Sequence, residues 1–305
     1  MPKYIVEARR LILLATRSVS PAAILRAVLI PVSMTAVMSC TILEQGTETD
    51  QSWPTQTTEL LTDVAQCRVA LQGTATTAAQ GLDLSRMRLL NWNTQKNTNA
   101  AMQADMRRLA GDADLILLQE ALHRSKEAFA SLDDTLHWSF SPGYQTAKFS
   151  TGVMTASRVK PLAQCSLTNV EPWLRTPKAT NITKFALLGT DETLLVLNLH
   201  LINFTFGIAE MHEQLAQALS FVDQHDGPVI VSGDFNTWRK GRVDMVTNEL
   251  RDHGLEPVGY AQDYRKRVFG YALDHTFVRD IRIAESTSHP VKSSDHNPMS
   301  VTLEF

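Results

Sequence analysis

The stretch Val229-Ile-Val-Ser-Gly-Asp-Phe-Asn-Thr-Trp238 joins an apolar run to a polar turn. The run up to Ser232 has the composition of a buried strand. Gly233 permits a close backbone approach or an unusual dihedral angle directly after it. Asp234 and Asn236 follow two positions apart, so an extended backbone would point both side chains the same way. The stretch therefore predicts a carboxylate and an amide held together at the end of a core strand.

Apolar runs bounded by turn residues recur from Arg86 to the end of the chain. Each has the length and composition of a buried strand. Many strands with few helices predict sheets that pack on each other with helices outside. The predicted strands are Met87–Trp92, Leu115–Leu118, Gly152–Ala156, Phe185–Leu188, Leu194–Leu199, Val229–Ser232, Leu273–Val278 and Ser300–Phe305.

Two segments between these strands have apolar residues at helical spacing. Asn97 is placed to cap a helix that carries Met102, Met106 and Leu109 on one face. The clearer helix follows Gly207 and has an apolar residue at every third or fourth position. These positions are Ile208, Met211, Leu215, Leu219 and Val222.

The chain has 305 residues and a formal net charge of -3. This charge excludes a protein that coats long nucleic acid non-specifically, because such proteins are basic. Phosphate binding must then depend on local groups or a metal. No cysteine has zinc-site spacing. Cys67 and Cys165 could form a disulfide if the chain is exported, and two unpaired thiols are the alternative.

The composition divides the chain into three parts. Residues 1–40 are basic and apolar, and the uncharged run Ala27–Leu43 is about as long as the shortest membrane-spanning helices. This pattern predicts an export signal or a membrane anchor. Cys40 ends a stretch that resembles a bacterial lipobox. Residues 41–85 are predicted to be a polar linker with a short helix near Thr58–Val69, and residues 86–305 a packed domain.

Polar side chains follow or begin several of the predicted strands. Strand ends and the loops after them are where a rigid scaffold commonly holds its chemistry. Any one of these polar segments could be an ordinary turn or a solvated surface, so the argument depends on their occurring together. Besides the opening stretch they are Leu90-Asn-Trp-Asn-Thr-Gln95, Leu117-Leu-Gln-Glu120, Leu197-Asn-Leu-His-Leu201, Leu273-Asp-His-Thr-Phe277 and Ser293-Ser-Asp-His-Asn-Pro298.

Taken in order, WNTQK, LLQE, NLHL, SGDFN, LDH and SSDHNP resemble the endonuclease/exonuclease/phosphatase superfamily. This superfamily includes DNase I-like nucleases, neutral sphingomyelinases and inositol-phosphate phosphatases. Ser150-Thr-Gly-Val-Met-Thr-Ala156 and Asn203-Phe-Thr-Phe-Gly207 are similar to its bacterial YafD-like branch. The resemblance covers roughly residues 86–305. It implies an α/β fold, a four-layer α/β/β/α sandwich of two mixed β-sheets packed face to face with helices outside.

The resemblance also implies a hydrolase of phosphate esters that uses Mg²⁺ or Mn²⁺. A divalent cation would offset the negative charge of the ester and stabilise the transition state. Asn93, Glu120 and Asp295 are the implied metal ligands. Asp234 would orient or deprotonate the attacking water or hold a second metal, and Asn236 would bind a phosphate oxygen.

Two histidines complete the implied site. His296 would be the general base, with Asp274 orienting its imidazole. His200 would stabilise the phosphate or protonate the leaving oxygen. The other seven histidines are interpreted as structural or surface residues: His123, His137, His212, His225, His253, His275 and His289.

Two basic clusters lie next to these motifs, Trp238–Arg242 and Arg265–Arg267. They could bind phosphates beside the scissile bond, with Trp238 stacking on a base, or be solvated loops. The sequence thus predicts a monomeric nuclease whose partner is nucleic acid. A lipid or small-molecule phosphodiesterase acting on a phospholipid head group is the alternative, and a non-catalytic binding module is the third possibility. The N-terminus predicts the bacterial cell envelope, with the cytoplasm as alternative.

Overall fold

The computed structural model describes residues 58–73, 79–83, 85–123, 132 and 135–304. The predicted export signal or anchor at residues 1–40, with the lipobox cysteine Cys40, lies outside these residues. Among the helices that are described, none has both the length and the apolar character needed to cross a membrane.

The described chain forms fifteen strands, four α-helices and two short 3₁₀ turns at Gln95–Asn97 and Val222–Gln224. The helices are α1 (Val64–Gln72), α2 (Met102–Ala110), α3 (Ala209–Leu219) and α4 (Lys240–Asp252). The strands are β1 (Leu60–Leu61), β2 (Met87–Asn93), β3 (Leu115–Leu122), β4 (His137–Gln145), β5 (Ser150–Ser157), β6 (Ala163–Val170), β7 (Pro177–Ala186), β8 (Thr193–His200), β9 (Val229–Asp234), β10 (Glu256–Pro257), β11 (Arg267–Val268), β12 (Tyr271–Ala272), β13 (Asp274–Arg279), β14 (Arg282–Ser288) and β15 (Met299–Glu304).

Two large mixed sheets carry the fold. One has seven strands in the order β1-β6-β7-β8-β9-β13-β10, and the other has six in the order β14-β15-β2-β3-β5-β4. Strands β8 and β9 run parallel and pair His200 with Asp234, while β13 runs antiparallel to β9 and pairs Asp274 with Asp234. The register therefore places three of the predicted site residues side by side, at the same end of three neighbouring strands of the larger sheet.

Alternation along the strands sends apolar side chains to both faces of each sheet. In β8, Leu194 and Val196 pack between the two sheets, while Leu195 and Leu197 face α3 and α4. On the outer face of the smaller sheet, α2 packs Met106 among other buried apolar residues. A two-residue side-chain period explains this division. The predicted four-layer sandwich is confirmed, although helices are few.

The predicted helix cap at Asn97 is wrong. Helix α2 begins at Met102 after Ala101, and Asn97 lies in the preceding 3₁₀ turn. Gln95, Lys96 and Asn97 all have positive φ, between 46° and 60°, which an α-helix does not allow. The Asn97 side chain instead accepts a hydrogen bond from the hydroxyl of Thr94.

Part of the predicted linker belongs to the fold. Strand β1 pairs in parallel with β6, and α1 follows directly, capped by the Asp63 side chain. Cys67 in α1 forms a disulfide with Cys165 in β6, with a Cα–Cα distance of 5.8 Å. Both cysteines are fully buried. The sequence left this pairing open, and the structure decides it in favour of the disulfide.

Candidate active site

A cavity of about 500 Å³ opens where β8 and β9 end. Six of the eight predicted site residues line its wall: Glu120, His200, Asp234, Asn236, Asp295 and His296. The other two, Asn93 and Asp274, lie behind this wall and hydrogen-bond to Asp234 and His296 respectively. Residues separated by up to about two hundred positions in sequence thus converge on one cavity.

Asp234 is the centre of the polar network. Its Oδ1 accepts a hydrogen bond from the backbone N–H of Asn236, and its Oδ2 accepts one from Nδ2 of Asn93. Nε2 of His200 lies 3.6 Å and Nε2 of His296 lies 4.0 Å from the same Oδ2. Burial raises the pKa of Asp234 to about 6. A carboxyl group tuned in this way can gain or lose a proton near neutral pH.

His296 and Asp274 form a buried pair. Nδ1 of His296 lies 2.8 Å from Oδ2 of Asp274, which fixes the proton of this nitrogen toward the carboxylate. Burial alone would lower the pKa of His296, but the charge of Asp274 raises it. The indole of Trp92 donates to the backbone carbonyl of His296 and holds the segment in place. The pairing leaves Nε2 of His296 directed to Asp234.

The expectation that Asn236 follows an extended backbone is wrong. Strand β9 ends at Asp234, and Asn236 has a φ of 51°. Its Nδ2 donates to the carbonyl oxygen of Leu201, so a tight turn, and not strand alternation, brings it to the cavity. Gly233 does have the predicted close approach, because a Cβ there would lie 2.0 Å from the carbonyl oxygen of Leu199.

Glu120 reaches the cavity through an irregularity in β3. The register with β5 shifts between Leu118 and Ala121, and Glu120 has a φ of 48° inside the strand. Non-glycine residues in this conformation cost of order 1–3 kcal/mol and cluster at functional sites. The bulge therefore turns the Glu120 carboxylate away from the regular alternation of side chains along β3 and toward the cavity. The apolar periodicity of the sequence does not predict this bulge.

The donor set at the cavity fits a hard divalent cation. Glu120 and Asp295 both line it, with side chains 26% and 45% exposed. Each has one nearby lysine, and oxygen ligands with access to water suit Mg²⁺ or Mn²⁺. Asn93 is buried against Asp234 rather than on the cavity wall. Among the described residues, a second group of possible ligands is Asp234, Asp274 and His296, whose donor atoms lie within 4.8 Å of one another.

Three lysines line the cavity, and sequence reasoning gave no role to two of them, Lys96 and Lys178, while Lys266 belongs to the predicted Arg265–Arg267 cluster. Lys96 lies 3.2 Å from Glu120, Lys266 lies 3.7 Å from Asp295, and Lys178 lies 2.9 Å from Nε2 of His200. Lys96 is the last residue of the WNTQK motif, so a signal for it was present. Lys178 lies inside the polar half of β7, where no local pattern marks it.

Within the Trp238–Arg242 cluster, the geometry does not support the predicted phosphate-binding role for Arg242. Arg242 is completely buried in α4 and donates to the carbonyl oxygens of Ile202, Asn203 and Asn236. It therefore clamps the loop after β8 against the turn after β9. Its guanidinium also lies 4.7 Å from the Trp238 ring, which is half-buried.

The second basic cluster is mostly engaged within the protein. Arg265 and Arg267 both pair with Asp263, at 2.8 Å and 2.6 Å. Of this cluster, only Lys266 lines the cavity.

Comparison with known proteins agrees with this geometry. The model of the Endonuclease/Exonuclease/phosphatase family matches residues 90–296. The chain belongs to this family. A UPF0294 protein from Vibrio vulnificus is 35% identical over 228 residues, which cover 72% of this chain and 77% of the relative. The family predicted from the motifs is confirmed.

Solved structures share the fold at low sequence identity. TDP2 from D. rerio, complexed with a single-strand DNA product, matches with a TM-score of 0.53 and 16% identity over 72% of this chain and all of its own. A mannosyl-6-phosphatase from Bacteroides thetaiotaomicron matches with a TM-score of 0.55 and 14% identity over the same shares. The family indicates a phosphoesterase, and these neighbours show that the fold is shared.

Proposed function

We propose that this protein is a divalent-metal-dependent phosphodiesterase that cleaves nucleic acid. The observation that carries the proposal is the convergence on one cavity of the Asp274–His296 pair, Asp234 and Glu120. These groups supply a proton acceptor, an oriented imidazole and a partly exposed carboxylate within one small space. Hydrolysis of a phosphodiester uses groups of these kinds, because the negative charge of the ester must be offset by a cation and the attacking water must lose a proton.

Each of these residues has a separate role in the proposed reaction. Glu120 and Asp295 would hold the cation, which would supply positive charge to offset the negative charge of the phosphate ester. Asp234 accepts a proton from the attacking water or orients it, and Nε2 of His296 faces the same position from 4.0 Å. Asp274 keeps the His296 ring fixed. Asn236 donates to a phosphate oxygen through the second hydrogen of its amide, because the first is used by Leu201.

Exposed aromatic residues beside the cavity favour nucleic acid as the substrate. Phe204 lines the cavity, and Trp173 and Phe206 contact each other with ring centroids 3.8 Å apart. All three rings are at least half exposed. Unpaired bases stack on such rings in proteins that bind single strands. The cavity lysines add positive charge beside the cavity for neighbouring phosphates.

One observation favours a lipid phosphodiesterase as the second candidate. Leu174, which is 57% exposed, lines the same cavity, and Ile208 is exposed beyond Phe206. Aliphatic side chains do not stack on bases, but they do bury themselves in a lipid interface. A phospholipid head group could then reach the same catalytic residues.

A substrate panel tests the proposal. The purified full chain is incubated with Mg²⁺ or Mn²⁺ and plasmid DNA, single-stranded DNA, single-stranded RNA, sphingomyelin vesicles and a generic phosphodiester. We expect cleavage of nucleic acid that stops when EDTA removes the metal. Turnover of lipid alone would favour the second candidate. No metal-dependent turnover of any substrate would favour a non-catalytic binding module.

We further propose that residues 1–40 hold the protein at the bacterial cell envelope. The support is the basic and apolar sequence of this part and the lipobox-like stretch that ends at Cys40. Fractionation of cells that express the full chain, with metabolic labelling by a radioactive fatty acid, tests the idea. Label that disappears in Cys40→Ala identifies a lipoprotein, and recovery in the soluble cytoplasmic fraction contradicts the proposal.

A further inference from the structure

Lys178 and His200 make a close contact that the proposed roles do not use. Nζ of Lys178, in β7, lies 2.9 Å from Nε2 of His200, at the end of β8. The side chains are only 15% and 9% exposed, so little water competes for the contact. Both residues line the candidate active-site cavity. The contact therefore determines which atoms of Lys178 and His200 face a substrate in the cavity.

The chemistry of the two groups determines the direction of this hydrogen bond. An ammonium group has three donors and no acceptor, so Nε2 of His200 must supply the lone pair. The ring is then neutral, and its single proton lies on Nδ1. Asp234, His296 and Lys96 are the other charged or titratable groups around the ring.

Lys178 is itself held in position from its other side. Oε1 of Glu171 lies 4.0 Å from Nζ of Lys178. Glu171 is buried and accepts hydrogen bonds from the backbone N–H groups of Asn203 and Phe204, at 2.8 Å and 3.3 Å. The hydroxyl of Thr176 donates to its other oxygen. The ammonium group thus lies between a fixed carboxylate and the imidazole.

We propose that Lys178 is a positioning residue whose hydrogen bond to His200 fixes the tautomer of the ring, with Nε2 as the acceptor and the proton on Nδ1. The positive charge at this edge of the cavity then lies on Lys178 and not on the imidazole. His200 cannot protonate a leaving oxygen through Nε2 in this state. The consequence for turnover rests on the proposed function, whereas the tautomer does not.

Nitrogen NMR on the full chain tests the tautomer directly. Protein with ¹⁵N-labelled histidine is measured at pH 7.5 in EDTA, and His200→Gln identifies the signals of the ring. We expect an unprotonated Nε2 and a protonated Nδ1 in the wild type. Lys178→Met should move the proton toward Nε2, and Lys178→Arg, which keeps a donor, should preserve the wild-type tautomer. Lys148→Met, at an exposed lysine of the β4–β5 turn, is the matched control and should change nothing.

Two results overturn the inference. The first is a spectrum in which wild-type His200 is an imidazolium or carries its proton on Nε2. This result comes from the wild-type protein and does not depend on the folding of a Lys178 variant. The other is a tautomer that stays the same in Lys178→Met. Turnover is a separate readout: if the proposed function holds, kcat falls about tenfold or more in Lys178→Met and recovers in part in Lys178→Arg. A protein with the expected tautomer and no activity on any substrate would refute the proposed function and leave this inference standing.

Discussion

At the scale of single residues, Asp234 and His296 are the side chains whose chemistry should matter most. We expect Asp234→Ala and His296→Ala each to lower kcat by roughly 10²–10⁴-fold, because each removes a proton-transfer or orienting group. Asp191→Ala, at an exposed carboxylate away from the catalytic cavity, is the control. Turnover is measured on the substrate identified by the panel, and circular dichroism checks the fold. Near-normal activity in both variants would refute the site.

Glu120 should set the affinity for the metal. Glu120→Gln keeps the shape of the side chain but removes the charge that attracts a cation. We expect a rise of about tenfold or more in the Mg²⁺ or Mn²⁺ concentration that gives half-maximal activity, and weaker binding of the metal alone in calorimetry. Glu285→Gln, at an exposed carboxylate on β14, should leave both values unchanged. Unaltered metal binding in Glu120→Gln would show that the cation is held elsewhere.

The residues that sequence reasoning found share one property, since each lies in a short motif at the end of an apolar run. Asp234 and His200 fall there because parallel β8 and β9 end at the same edge. Lys178 and Glu171 were not found, because they come from β7 and the loop before it, where only the fold brings them to the site. Local patterns therefore predict the cavity residues that lie near strand ends, but not Lys178 and Glu171, which reach the cavity from a neighbouring strand and loop.

At the scale of elements, the strands that the sequence predicts are those whose side chains are apolar and buried on both faces of the sheet. The eight predicted strands all overlap observed strands, and five of them lie wholly within one. Strands β4, β6 and β14 were missed because serines, threonines and charges interrupt their apolar residues. Helix α4 was missed for a similar reason, as it begins with Lys240 and buries an arginine, Arg242, on its inner face.

Two glycines in neighbouring elements should respond in opposite ways to the same substitution. In β9, a Cβ on Gly233 would lie 2.0 Å from the backbone of Leu199, and the φ of 152° is also unfavourable for alanine. We expect Gly233→Ala to lower the free energy of unfolding by more than about 2 kcal/mol. Gly241 in α4 has open space around it, so Gly241→Ala should raise that energy by about 0.5–1 kcal/mol.

Urea denaturation at neutral pH measures both variants. The pair controls for the added methyl group itself, because only its surroundings differ. Two variants with equal stability would show that the approach of β9 to β8 is looser than these distances indicate.

At the scale of the whole molecule, the disulfide ties the first described segment to the main sheet. Cys67 and Cys165 are separated by 98 positions, so the bond closes a long loop in the unfolded chain. We expect Cys165→Ser, or reduction by dithiothreitol, to lower the free energy of unfolding by about 2–4 kcal/mol. Urea denaturation measures this, and Cys40→Ser should behave like the wild type. Equal midpoints with and without reductant would indicate that the bond does not form in solution.

A half-buried neutral histidine, His275, should make the whole fold sensitive to mild acid. Nε2 of His275 donates toward the Thr237 hydroxyl oxygen, at 2.7 Å, and the Ala272 carbonyl oxygen, at 3.1 Å, while Nδ1 lies 3.4 Å from the Arg265 guanidinium. Burial, and then the charge of Arg265, lowers its pKa to about 3. An unfolded histidine has a pKa of about 6.5, so the unfolded chain binds more protons between these values. Stability is therefore fully present above about pH 6.5 and is lost as the pH falls toward 3.

This one group should remove about 2 kcal/mol of unfolding free energy between pH 7 and pH 5. His275→Gln retains an amide that can donate to the same oxygens but does not titrate, so its stability should fall less steeply over that range. Urea denaturation at pH 7, 6 and 5 compares the two slopes. Parallel curves for the wild type and His275→Gln would mean that His275 takes up its proton without leaving the fold, and that the position of Nδ1 beside Arg265 tolerates an imidazolium.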